Sequence, residues 1–148
     1  MKTAKQQNKF QTAVEYVTEY AGVKGALISD SEGLTIIKSP DDGFDGDFCA
    51  AMGLELVNIV DKNLRGLAEP GCEFLSVKTG EDWITVAKSS IFYLIVVAER
   101  KADDLLSVRI SRALEMITTY MKEKYPALLL SGELAGRKIE KKMEAYNV

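Results

Sequence analysis

Apolar residues recur along this chain with two periods, and the switches between them mark out a series of helices and strands. From residue 6 to 21, Phe10, Ala13, Val14, Val17 and Tyr20 repeat at spacings of three and four, while Gln6, Gln7, Gln11, Glu15 and Glu19 take the other side. That spacing predicts a helix with one buried face, stopped by Gly22. Ala26–Ser29 and Leu34–Lys38 are short β-prone runs around Asp30-Ser31-Glu32-Gly33, which reads as a hairpin with Gly33 able to take positive φ. Pro40 and Gly43 end the second run.

The segment from Asp45 to Leu67 reads as a second helix. Placed on a wheel at about 100° per residue, Phe48, Cys49, Met52, Leu56, Val57, Ile59, Val60 and Leu64 cover an arc of roughly 180°. Glu55, Asn58, Asp61, Lys62 and Arg65 fill the opposite arc, with Leu54 among them. One sheet needs a narrower stripe from a surface helix. One part of the arc is therefore expected to lie on the sheet and another to meet a second polypeptide. The pattern does not say which part does which. The competing reading, a helix sunk in a groove of its own chain, needs more elements than the sequence offers.

Glu73–Lys78, Trp83–Lys88 and Ile91–Ala98 follow as strands joined by loops so short that the neighbours must be antiparallel. Ile91–Ala98 is apolar on both faces and belongs in the sheet centre; Trp83–Lys88 lies nearer an edge, and Trp83, just after a tight turn, reads equally as a structural residue or an exposed contact. A third helix is expected from Asp103 to Glu123, burying Leu106, Ile110, Ala113, Leu114, Ile117 and Met121 and leaving Arg109, Arg112, Glu115 and Lys122 to water. Pro126 breaks it. Residues 1–125 are read as one domain and 126–148 as an extension, a short amphipathic helix or a tail, with Leu134, Ile139 and Met143 as candidate apolar contacts. The order is α-β-β-α-β-β-β-α, with the first and third helices on one sheet face and the second on the other.

Composition narrows the chemistry. A chain of 148 residues, 47% apolar and 28% charged, can fold around one core. Its net charge of −3 and lack of a basic patch argue against nucleic acid. No signal-like N-terminus and no spanning apolar run occur, so the expectation is a cytoplasmic protein without membrane insertion. Histidine is absent, which removes Ser-His-Asp and Cys-His arrangements, and the two cysteines, Cys49 and Cys72, read as buried thiols. No phosphate-binding loop is present. The acidic group Asp41, Asp42, Asp45 and Asp47 fails as a Ca²⁺ loop because Gly43 and Met52 occupy ligand positions. It reads as a cap for the second helix. No catalytic residue, metal or cofactor is expected.

The stretch Val23–Leu34 with its acidic-Gly turn, the helix Phe48–Leu67, and Ile91–Val97 followed by Ala102-Asp103-Asp104-Leu105-Leu106 resemble the roadblock/LC7 family over Val23 to Ile117. The resemblance implies a three-layer α/β/α domain of the α+β kind, with a mainly antiparallel five-stranded sheet. It also implies a homodimer in which the middle helices pack together and the edge strand Glu73–Lys78 pairs across the axis. The implied interface is Phe48, Met52, Leu56, Val57, Val60, Leu64, Leu67, Glu73, Leu75 and Val77. Prokaryotic members bind Ras-like small GTPases and include activators of GTP hydrolysis; eukaryotic members are dynein light chains and endosomal adaptors. The expected function is thus a homodimeric regulator or scaffold of a Ras-like small GTPase, not an enzyme, with Arg65, Arg109 and Arg112 as arginines to test for insertion into the partner. The alternatives are a light-chain-like structural adaptor and a small-molecule sensor of the PAS or GAF type.

Overall fold

The computed structural model describes residues 2–40, 43–65, 71–89, 91–124 and 126. Its elements are α1 (Lys2–Thr18), β1 (Val23–Asp30), β2 (Thr35–Lys38), α2 (Gly46–Leu64), β3 (Phe74–Lys78), β4 (Asp82–Ser89), β5 (Phe92–Glu99) and α3 (Leu106–Lys124). The order is the expected one. α1 begins earlier than its apolar pattern suggested, α3 starts after Asp103 and Asp104, and Glu73 precedes β3; Pro126, expected to break the last helix, is itself helical.

The five strands form one antiparallel sheet in the order β2-β1-β5-β4-β3. Strand β5, apolar on both faces up to its terminal Glu99, is central, because only there are both of its faces covered. On one face Val14, Val17, Ala26, Leu94, Val96, Ile110 and Ile117 close the core beneath α1 and α3. On the other, Leu27, Phe44, Ala50, Val57, Val86 and Ile95 close it beneath α2. The edges differ. β2 is four residues long and bulged: Ile28 pairs with Ile37 and Ser29 with Thr35, so Ile36 is skipped. β3 pairs regularly with β4 through all five of its residues.

Local signals explain the joints. Gly33 adopts φ +86° in the first hairpin, where the Asp30 carboxylate accepts from the N–H groups of Glu32 and Leu34. Asp45 caps α2, its carboxylate accepting from Phe48 N–H at 3.1 Å, as the capping reading of the acidic group required of it; Asp41 and Asp42 lie outside the described residues.

Two expectations are corrected. Trp83 is buried, which removes its reading as an exposed contact: it closes the α1–α3 face, donates from Nε1 to Ser76 Oγ at 2.6 Å and carries Lys78 Nζ 4.5 Å above its ring. Arg109 does not stand free in water. Its guanidinium lies 4.3 Å above Tyr16 and reaches Glu19 at 4.0 Å, so it ties α3 to α1.

Candidate protein interface

α2 meets the sheet through small side chains. Its buried residues are Gly46, Ala50, Gly53 and Val57, a stripe at helical spacing whose first three members have little or no side chain. A Cβ added at Gly53 would fall 2.7 Å from Ile95 Cδ1, so the helix backbone rests almost directly on β5. Bulky residues cannot occupy that seam, and they lie elsewhere on the helix. Phe48 is 64% exposed, Ile59 49% and Leu64 40%, while Met52, Leu56 and Val60 are half-buried. Phe48, Ile59, Met52, Leu56 and Val60 run in that order around one side of the wheel toward the sheet seam, with Lys62 next to Phe48 and Ile59 at the outer limit and Leu64 in line with the seam.

β3 continues this surface. Leu75 and Val77 stand opposite Val86 and Ile84, which pack beneath α2, so both lie on the α2 face; both are half-buried. No strand lies beyond β3 among the described residues, so its outer backbone edge is unpaired there. Phe74, 48% exposed, projects to the opposite face beside the α1–α3 layer. Its exposure was not legible in the apolar alternation.

Of the expected interface residues, Phe48, Met52 and Leu56 share one flank of α2, Val60 borders the small-residue seam, and Leu64 is in line with that seam yet 40% exposed in the helix's last turn; Leu75 and Val77 are on the adjoining strand. Val57 is corrected: at 2% exposure it faces the sheet and is not available to a partner. Leu67 lies outside the described residues. Glu73 is exposed next to the edge, its carbonyl accepting from Lys88 N–H at 2.8 Å.

Both cysteines border this surface and both are half-buried. Burial, followed by the nearby Asp45 and Asp82 charges, pushes the Cys49 thiol upward. Burial and then Asp61 push Cys72 upward, and Asp61 also accepts from Cys72 N–H at 2.5 Å. Tyr93, from β5, is raised by the same surroundings: burial first, then Asp61 and Cys72. Partial burial and nearby carboxylates both favour the neutral form of these groups, which suits contact and disfavours nucleophilic work at neutral pH. Among the described residues no group of three or more acidic or cysteine side chains converges on a possible metal position. No described helix is long and apolar enough to cross a membrane. Of the arginines, Arg65 and Arg112 are exposed and Arg109 is held against Tyr16.

The sequence matches no family model and no curated protein. Solved structures do match. A roadblock/LC7 domain from Streptomyces avermitilis is 19% identical, with a TM-score of 0.64 over 72% of this chain and 92% of its own. Myxococcus xanthus MglB is 17% identical, with a TM-score of 0.71 over 79% of this chain and 90% of its own. An MglB described in a tetrameric arrangement is 14% identical, with a TM-score of 0.71 over 80% of this chain and 91% of its own. At such identities the likeness speaks to architecture, and the architecture of this chain is the roadblock/LC7 fold.

Proposed function

We propose that this protein is a homodimeric regulator or scaffold of a Ras-like small GTPase, built around the outer flank of α2 and the free edge of β3. The observation that carries the proposal is the division of α2 into a small-residue seam on its own sheet and a flank of large apolar residues facing outward. Phe48, Met52, Ile59 and Leu64 gain nothing from exposure, whereas covering a large apolar side chain contributes roughly 1.5–3 kcal/mol. A second copy supplies a matching flank, and the adjacent β3 edge offers a strand for antiparallel pairing about the same two-fold axis. A tetrameric arrangement is described for one MglB of the same fold, which supports assembly between copies.

The GTPase reading rests on the resemblance of Val23–Ile117 to a domain whose prokaryotic members bind such partners, and on the fold shared with MglB. The chain contributes recognition; hydrolysis uses the GTPase's own switch segments and water, with Arg65 and Arg112 exposed for an added contact. Two measurements test this. Sedimentation across concentration should give a dimer for the native chain and a folded monomer for Phe48→Asp. Capture of a small GTPase from the native cell, followed by GTP turnover with and without this protein, should give binding in either case and acceleration if it activates. Recovery of a large non-GTPase subunit instead would favour the structural adaptor.

A further inference from the structure

A second surface lies outside the α2–β3 flank and includes Arg112. Between α1 and α3, on the opposite side of the sheet from α2, runs an open groove of about 590 Å³. Tyr16, Met116 and Tyr120 line its apolar part. Its rims carry Lys9 on the α1 side and Glu115 and Glu123 on the α3 side, with Arg112 at one end; Lys9 and Glu123 meet at 3.1 Å. From Arg112 to Glu123 the groove follows α3 for three turns, about 16 Å at about 1.5 Å per residue.

The chain itself continues from this place. α3 reaches Lys124, one residue past the groove's last lining residue, Pro126 is helical as well, and the sequence runs on to Val148. In that continuation Ala135, Ile139, Met143 and Tyr146 recur in the sequence at spacings of four, four and three, the period that would share one face of a helix. On a helical wheel the sequence positions Lys138, Lys141 and Lys142 would flank that stripe on one side and Glu133, Glu140 and Glu144 on the other. An apolar stripe with one basic and one acidic flank complements a groove with an apolar floor, acidic residues on one rim and a lysine on the other. The reach is sufficient. Pro126 is helical, and the link from there to Ala135 spans at most roughly 32 Å when extended, about twice the groove's length.

We propose that the segment Ala135–Tyr146 of this same chain seats in the α1–α3 groove, its stripe on Tyr16, Met116 and Tyr120 and its basic flank toward Glu115 and Glu123. The segment and any outside amphipathic helix then compete for one surface, which gives the domain a face regulated by its own sequence, separate from the α2–β3 face.

The test uses the full chain with p-benzoylphenylalanine in place of Thr119, on the groove wall, and in a second preparation in place of Thr12 across from it. After irradiation, mass spectrometry should find cross-links from both positions to peptides within 135–146. In a mixture of ¹⁵N-labelled and unlabelled protein the linked peptides should carry a single isotope label, marking them as intramolecular. Ile139→Glu together with Met143→Glu should reduce cross-linking at least fivefold while the far-UV CD melting curve of the domain holds. Absence of cross-links to 135–146, links only between differently labelled chains, or links undiminished in the double variant would overturn the assignment. None of these readouts involves a GTPase, so the outcome is independent of the proposed function.

Discussion

Gly53 of α2 and Ile95 of β5 approach so closely that a methyl group at Gly53 would lie 2.7 Å from Ile95 Cδ1 and 3.4 Å from Val86 Cγ2. Ile95 is fully buried, so its side chain has little room to withdraw. Gly53→Val should destabilise the fold by about 1–3 kcal/mol, the usual range for overpacking a filled core. A lowered midpoint in urea unfolding checks this; an unchanged midpoint would mean that α2 stands farther from the sheet.

The two sides of α2 should respond oppositely to charge. Val57→Asp places an unpaired carboxylate against the sheet at a site 2% exposed, costs several kcal/mol and should prevent stable folding. Phe48→Asp and Ile59→Asp fall on exposed positions and should leave the CD spectrum and folded core intact. Sedimentation of the latter two should show a monomer where the native chain associates; native-like association in both would remove the outer flank from the interface.

Ser76→Ala removes the acceptor of the Trp83 indole N–H. The donor is held between β3 and the α1–α3 layer, so the loss should cost about 1–2 kcal/mol. Trp83 is the sole tryptophan of the chain, and its fluorescence should shift without a change in oligomeric state. A variant with native stability would place water where Ser76 Oγ now stands.

The thiols supply a pH dependence. Cys49 and Cys72 are both raised above their ordinary value of 9.0, chiefly by burial, so the folded chain holds these protons more tightly than the unfolded one. Their contribution to stability is complete below pH about 9 and is lost as pH climbs from there through the folded values. At pH 7–8 iodoacetamide should therefore modify both more slowly in the native chain than in urea. Cys49, on the α2 flank, should slow further as protein concentration rises, whereas a rate independent of concentration would leave that flank uncovered.

The element order, the central place of β5 and the sides taken by the three helices were all legible in the sequence, because they follow from apolar periodicity and short loops. What the pattern hid was the direction of α2. Counting large apolar residues draws attention to Phe48, Met52 and Ile59, yet the sheet contact is made by Gly46, Ala50 and Gly53, which such a count passes over. Val57 was misassigned for the same reason: it shares the small-residue seam while sitting beside the larger residues on the wheel. Trp83 followed a tight turn, which suggested exposure; its partner Ser76 and the covering helix α3 come from elsewhere in the chain and leave no local trace.

The unequal margins of the sheet bear on how many copies can join. The bulge that skips Ile36 twists the β2 margin and breaks the regular spacing an added strand would need. The β3 margin is straight. Two copies meeting there consume that margin on both, and what then points outward at each end is only the kinked one. Under the proposed pairing, growth by strand addition would stop at a closed pair, and the sheet would lengthen once without seeding a fibre.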